Sequence, residues 1–214
     1  MSRYVLHYFK IANRGGAIRD AFRLGGIPFE NAHVPPAGPE RDELAKRVSP
    51  MGQWPVLEVV GASGTSRFFT QSNAILSFVG AKAQLVPHDL LDRLAVDEVL
   101  NAVEDVYGAF GPTLRIADPT EKINARQALI APGGRLHTLL KFLDGRYSGS
   151  ATGPLLGWLS VADLKARHIA NWFSSGILDG IEPTWIAATA PAFTSAMEKV
   201  NQLVKERVSD ASGI

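Results

Sequence analysis

The chain has 214 residues, 46% of them hydrophobic and 20% charged, and a formal net charge of +1, which gives no reason to expect nucleic acid or an anionic membrane as a partner. It contains no cysteine, which excludes disulfides, thiolate metal sites and a cysteine nucleophile, so a thiol in its chemistry must come from a ligand. The N-terminus does not resemble a signal peptide, and no apolar run approaches the ~20 residues that span a bilayer, so a cytoplasmic protein is expected.

The first part of the chain alternates predicted strands and helices. In chain order they are strand 3–9, loop 11–16, helix 17–24, strand 27–34, helix 40–48, strands 56–60 and 67–69, and helix 72–83. Period-two alternation places Tyr4, Leu6 and Tyr8 on one face of the first strand. The order β-α-β-α-β-β-α is typical of a small mixed sheet covered by helices.

The second part is predicted to be all-α. Its helices are expected at 90–110, 119–130, 134–143, 161–173 and 192–208, with a frayed tail at 209–214. Ser160 and Asp163 have the spacing of a capping box at the start of one helix. We therefore expect two domains, 1–83 and 88–214, joined by a linker at 84–87.

Two local patterns indicate a site for a small peptide with a free carboxylate. Pro55 has no N–H and opens a strand, and it holds Trp54 in an extended conformation. Trp54 can then offer its backbone N–H and C=O to an extended peptide alongside. Ser72 is a good N-cap residue, and the N–H groups of the helical turn it begins can bind an anion.

These motifs together resemble the cytosolic glutathione S-transferases, most closely the sigma class that includes glutathione-dependent prostaglandin D synthase. The matching segments are Tyr8-Phe9, Arg14-Gly15, Gly52–Val59, Gln71–Ile75 and Ser160–Leu164. The resemblance implies a thioredoxin-like α/β domain followed by an all-α domain. It also implies glutathione as cosubstrate, no metal, and a homodimer.

The resemblance makes Tyr8 the catalytic residue, with Arg14 adding positive potential. A free thiol has a pKa of about 8.5 and the thiolate is the nucleophile, so a fixed hydroxyl donor makes more of the sulfur reactive at neutral pH. The residue pattern alone leaves another interpretation open, in which Tyr8 packs in the core with Tyr4 and Leu6. His7 points to the other face and is expected to be structural.

The resemblance assigns further residues to glutathione. Gln71 and Ser72 would hold its γ-glutamyl end, and Trp54, before a cis Pro55 and beside Gln53, would pair with its cysteinyl backbone. Lys46 would reach the glycine carboxylate, although a solvated lysine is the alternative. Asp105 would reach the glutathione amino group of the other subunit, or would be an ordinary exposed helix carboxylate.

Two further inferences follow from the resemblance. The second-substrate pocket would include Ile11, Ala12, Tyr107, Phe110, Lys165 and Ile169; Lys165 would orient an acidic or carbonyl substrate, and Tyr107 and Phe110 are alternatively plain core. Asp42 stands where the sigma class has a tryptophan, which removes an aromatic wall and puts a negative charge near the glycine end.

The expected reaction is attack of the glutathione thiolate on a hydrophobic electrophile, or a glutathione-dependent isomerisation. The alternative is a crystallin-like or ligand-binding protein that keeps the fold and has little activity. Tyr8, Arg14, Gln71 and Ser72 favour a working thiol site, and Asp42 weighs the other way. A cysteine-dependent dithiol reductase is excluded because the chain has no cysteine.

Overall fold

A computed structural model of the protein describes residues 2–211, and the side chains of its last helix as far as Val208. These residues divide into two compact units. One runs as far as Val86 and includes the chain from Glu206 onward, and the other is Pro87–Lys205. Across the described part of the chain, no helix combines the length and the apolar character needed to cross a membrane.

The first unit is a four-stranded mixed sheet with three helices, in the predicted order. Its elements are β1 (Arg3–Tyr8), α1 (Asn13–Leu24), β2 (Glu30–His33), α2 (Pro39–Val48), β3 (Val56–Val60), β4 (Ser66–Phe69) and α3 (Ser72–Lys82). The strand order is β2-β1-β3-β4, and β1 runs parallel to β2 and antiparallel to β3. The first strand is therefore central, and both of its faces are covered.

One face of β1 carries the aromatic core of this unit. The Tyr4 ring packs against Phe22 of α1 and Phe78 of α3, with centroids 5.7 and 6.2 Å apart. Leu6 is fully buried and pairs with Leu57 across the sheet. Burying a side chain of this size stabilises the fold by about 1.5–3 kcal/mol. As the alternation predicts, Tyr8 shares this face.

Two boundaries in the first unit differ from the prediction by more than one residue. Residues 11–16 were expected to be a loop, but α1 begins at Asn13, whose side chain accepts a hydrogen bond from the Arg14 N–H at 2.9 Å. The two glycines that suggested a loop lie inside the helix. The strand expected over 27–34 is shorter, Glu30–His33, because Pro28 has no N–H to give to the ladder.

The second unit is all-α, as predicted. It comprises α4 (Leu90–Phe110), a short 3₁₀ helix (Gly111–Arg115), α5 (Pro119–Ile130), α6 (Arg135–Tyr147), α7 (Val161–Phe173), α8 (Trp185–Thr189) and most of α9 (Pro191–Ala211). The long α4 packs against α6 and α7. The 3₁₀ helix and α8 were not predicted, since five residues are too short for a periodic pattern.

Two helix ends were also predicted too early. The helix expected over 134–143 continues to Tyr147, because Tyr147 is buried against the ring of Phe193. Residues 209–214 were expected to fray, but α9 continues to Ala211, and the remainder of that prediction lies outside the described residues.

The predicted capping box at the start of α7 is present and fully buried. The Asp163 carboxylate accepts hydrogen bonds from the N–H and hydroxyl of Ser160, at 2.8 and 2.7 Å. It also accepts from the Leu155 N–H at 2.8 Å and the Tyr147 hydroxyl at 3.0 Å. Four donors therefore compensate one buried negative charge.

Candidate active site

Tyr8 is the last residue of β1, and 3% of it is exposed. Its ring lies directly on the first turn of α1. A Cβ atom at Gly15 would stand 2.2 Å from Cδ1 of the ring, so position 15 accepts only glycine while the ring stays where it is. The sequence showed the glycine but not this reason for it, because the contact joins a strand to a helix.

Charges and backbone dipoles converge on the Tyr8 hydroxyl. Burial raises the pKa of this hydroxyl above its usual value of 10.0. The positive charges of Arg14 and Arg19 and the backbone N–H groups of Arg14 and Gly15 all act in the opposite direction. The hydroxyl therefore keeps its proton at neutral pH and stands in positive surroundings, which suits a donor to an anion.

Arg19 is the residue of this region that sequence reasoning missed. It lies in the second turn of α1 and is 8% exposed. Its guanidinium donates to the carbonyls of Ile11 and Phe9 at 2.6 and 2.7 Å and to Asn31 Oδ1 at 3.0 Å, and it lies 5.5 Å from the Tyr8 ring centroid. An arginine three residues into a helical pattern carries no local signal of such contacts.

The segment before β3 bends at Trp54, and the strand itself begins at Val56. The Trp54-Pro55 peptide bond is cis, as the resemblance implied. The Trp54 indole is half-buried and meets the Phe9 ring edge-on at 6.5 Å. The Ser49 hydroxyl donates to the carbonyl of Gln53 at 2.7 Å, which holds the segment, while the Gln53 side chain is exposed.

The start of α3 corrects one prediction. Ser72 was expected to be the N-cap, but Gln71 occupies that position and Ser72 is the first helical residue. Gln71 has φ 72°, in the left-handed region that non-glycine residues rarely adopt. Its side-chain amide donates to the sulfur of Met51 at 3.6 Å, and Ser72 is buried.

The two charged candidates on α2 are exposed and each has a neighbour of opposite charge. The Lys46 ammonium lies 2.6 Å from Glu43, and the Asp42 carboxylate lies 2.9 Å from Arg41. The negative charge of Asp42 is therefore partly compensated by Arg41.

The candidates in the second unit are mostly buried. Tyr107 and Phe110 pack against the Trp172 ring, with centroids 5.9 and 4.9 Å away, and Ile169 is fully buried. Lys165 was expected to orient a substrate, but it is 1% exposed and its ammonium pairs with Glu104. The charge of Lys165 is therefore already compensated by a residue of the same unit.

The remaining candidates lie at the surface. The Asp105 carboxylate forms an exposed ion pair with Arg135 at 2.8 Å, and Ile11 and Ala12 are exposed in the first unit. Among the residues that the structure describes, no three histidine or acidic side chains are grouped so that they could hold a metal ion.

Comparison with known proteins finds relatives that are glutathione S-transferases. Glutathione S-transferase A of Cavia porcellus is 31% identical over 178 residues, which cover 81% of this chain and 78% of that protein. Glutathione S-transferase 1 of Ascaris suum is 28% identical over 182 residues, covering 81% and 82%. No model of a known protein family matches the chain.

A solved structure shows the same fold. A nematode-specific glutathione S-transferase from Caenorhabditis elegans superposes with a TM-score of 0.79 at 20% identity, covering 98% of this chain and 95% of that one. At that identity the likeness establishes the fold, which is the predicted thioredoxin-like unit and all-α unit.

Proposed function

Because the chain belongs to the glutathione S-transferase family, we propose that it catalyses attack of the glutathione thiolate on a hydrophobic electrophile, or a glutathione-dependent isomerisation. The observation that carries this proposal is the Tyr8 hydroxyl, a protonated donor placed among two arginines and two backbone N–H groups. Such a site favours a bound anion.

Tyr8 acts on the glutathione sulfur by hydrogen bonding. The hydroxyl donates to the sulfur, and this bond is stronger when the sulfur is a thiolate. The pKa of the bound thiol falls as a result, and more of it is nucleophilic at neutral pH. Arg14 supports this shift through its charge. Much of the remaining acceleration comes from holding two reactants together.

The glutathione peptide lies along the segment before β3. Its cysteinyl part pairs with the Trp54 backbone before Pro55 and beside Gln53, and its γ-glutamyl end meets Gln71 and Ser72. A helix N-terminus favours a carboxylate there. Residues 1–83 form this glutathione-binding domain, and 88–214 the helical domain.

Lys46 and Asp105 bind the two ends of glutathione, and each gives up its present ion-pair partner to do so. Lys46 is paired with Glu43 and Asp105 with Arg135, both at the surface. Exposed pairs of this kind contribute about 0–1 kcal/mol, so a ligand carboxylate or ammonium can replace the partner at small cost. Asp105 would act from the second subunit of a cytoplasmic homodimer.

The second substrate is a small hydrophobic electrophile. We assign its contacts to Ile11, Ala12, Tyr107, Phe110 and Ile169. The proposal gives Lys165 no contact with this substrate, because Lys165 is paired with Glu104.

Retention on immobilised glutathione, followed by turnover of an aryl halide with free glutathione, tests the proposal. Tyr8→Phe is expected to lose about 10²-fold in kcat while still binding glutathione, because only the hydroxyl donor is removed. Tyr4→Phe is the matched control, since Tyr4 shares the strand, the face and the burial, and it should keep wild-type turnover.

Two outcomes would change the conclusion. Unchanged kcat in Tyr8→Phe would remove the assigned role of Tyr8. Retention of the wild-type protein on glutathione without turnover of any electrophile would favour the ligand-binding alternative, which Asp42 supports because it replaces an aromatic wall.

A further inference from the structure

Arg19 is a buried cation held by neutral groups. Its three hydrogen-bond acceptors are two backbone carbonyls and one side-chain amide oxygen, at 2.6–3.0 Å. Within the described residues, no carboxylate forms an ion pair with it, and Asp20 acts on it only at longer range. A guanidinium stays protonated even where burial lowers its pKa, so its positive charge remains largely uncompensated.

The positive charge of Arg19 acts on Tyr8. The guanidinium carbon lies 5.5 Å from the centre of the Tyr8 ring, and the charge acts to lower the pKa of the hydroxyl. Arg14 does the same from one turn earlier in α1. Because Arg19 and Tyr8 are both buried, water and salt screen the interaction between the guanidinium and the hydroxyl less than they screen a surface pair.

The same side chain also fixes the turn that follows Tyr8. The carbonyls that it binds belong to Phe9 and Ile11, so the chain leaving β1 is tied to the second turn of α1. The third contact reaches Asn31 in β2. One guanidinium beside the Tyr8 ring therefore joins α1, the turn after β1 and β2, and its planar fork suits this better than an ammonium would.

We propose that Arg19 is a positioning residue for thiolate formation: its charge acts through the Tyr8 hydroxyl to stabilise the thiolate that accepts the hydrogen bond of Tyr8, while its hydrogen bonds hold the turn after Tyr8 and stabilise the fold. The inference rests on the proposed function of Tyr8. Its two parts, charge and fixation, are separable because lysine keeps the charge and loses most of the hydrogen bonds.

The first measurement does not depend on activity. 3-Fluorotyrosine at position 8, whose phenol is more acidic than that of tyrosine, is titrated by ¹⁹F NMR in the wild type, in Arg19→Gln and Arg19→Met, and in the control Arg23→Gln. Arg23 lies on the same helix, is 51% exposed and is paired loosely with Asp20. We expect a higher titration midpoint in both position-19 variants and an unchanged midpoint in the control.

The second measurement is kcat for an aryl halide at neutral pH. Arg19→Gln is expected to lose about tenfold in kcat. A loss of this size is what a rise of about one unit in the pKa of the bound thiol would produce. Arg19→Lys is expected to stay within about threefold of wild type, because its charge remains, although its unfolding temperature falls with the lost hydrogen bonds. KM for glutathione should change less than kcat in Arg19→Gln.

Each result decides the matter. An unchanged midpoint in Arg19→Gln and Arg19→Met overturns the proposal, as does an equal loss of kcat in Arg19→Lys and Arg19→Gln. If neither neutral variant folds, Arg19→Lys decides alone: wild-type kcat supports the role of the charge, and a tenfold loss contradicts it. An inactive wild-type protein would refute the proposed function, while the fluorine titration would still test Arg19.

Discussion

Tyr8 and Tyr147 are both buried tyrosines, one in each unit of the protein, and their surroundings are opposite. Tyr8 is 3% exposed and stands near two arginines and two backbone N–H groups. Tyr147 is 1% exposed and donates to the buried carboxylate of Asp163. Burial raises both pKa values, and the Asp163 charge raises that of Tyr147 further, whereas the charges near Tyr8 act to lower its pKa.

This difference in surrounding charge distinguishes a hydroxyl that can donate to a ligand, that of Tyr8, from one that stabilises the fold, that of Tyr147. The hydrogen of Tyr147 is already donated to the acceptor that also caps α7. The groups around Tyr8 are positive or are N–H donors, so they favour an incoming anion. Burial by itself therefore does not identify a functional tyrosine; the sign of the surrounding charge does.

The largest expected effect is on the Tyr147 side of this comparison. Asp163→Ala leaves four donors, three of them buried, without their acceptor, and we expect a loss of about 3–5 kcal/mol in the free energy of unfolding, measured by urea denaturation. Asp118→Ala is the control, because Asp118 caps α5 at the surface with one hydrogen bond and should cost about 1 kcal/mol. Equal losses would contradict the central role of Asp163.

The next effect tests the Tyr8 side. Gly15→Ala places a methyl group into the Tyr8 ring, and the ring must move. We expect a loss of stability of about 1–3 kcal/mol and at least about a tenfold loss of kcat. Gly145→Ala in α6 is the control, because its new Cβ meets nothing within 4 Å and should be neutral or stabilising. Full activity of Gly15→Ala would show that the ring position is unimportant.

A smaller effect is expected at high pH. Below pH 10 Tyr147 is protonated in both the folded and the unfolded chain; above it the unfolded chain loses the proton while the folded chain keeps it, so stability falls as pH rises. Tyr147→Phe is expected to lose about 1 kcal/mol in the free energy of unfolding at pH 7. Phenylalanine has no hydroxyl to titrate, so the variant does not show the fall in stability at high pH. The stability gap between wild type and variant should therefore narrow from pH 10 to 11, and a constant gap would contradict the assignment.

The smallest effect concerns Glu58 in the first unit. Burial acts to raise the pKa of its carboxyl, but hydrogen bonds from Ser66 at 2.5 Å and His7 at 2.9 Å outweigh burial, and the pKa lies below its usual value of 4.5. This stabilisation is present above that value and is lost as pH falls through the folded pKa. Ser66→Ala should therefore lose stability at a higher pH than wild type in acid unfolding.

Ser63→Ala is the control for that experiment, since Ser63 lies in the exposed turn and bonds only Thr65 among the contacts described for it. If the pH of acid unfolding rises equally in both variants, Glu58 is not responsible for the shift. The contact of His7 with Glu58 supports the expectation that His7 is structural.

The errors of the sequence-based prediction have a common cause. The start of α1 was placed too late because Gly15 and Gly16 are typical of loops, and only the approach of the Tyr8 ring shows why a glycine stands at position 15 inside the helix. The burial of Lys165 and its pairing with Glu104 were also not visible, because helical spacing does not tell which element covers each face. In both cases the deciding contact joins residues far apart in the chain.

Local chemistry was sufficient for the rest. The capping box of Ser160 and Asp163 is set by a three-residue spacing, and the strand after Pro55 follows from a missing N–H and a β-branched run. The sequence by itself determined the order of the elements in the first part, the all-α character of the second part and the identity of Tyr8 as a candidate. Only the tertiary structure decided the electrostatics of Tyr8, because Arg14, Gly15 and Arg19 act on it through the packing of α1 against β1.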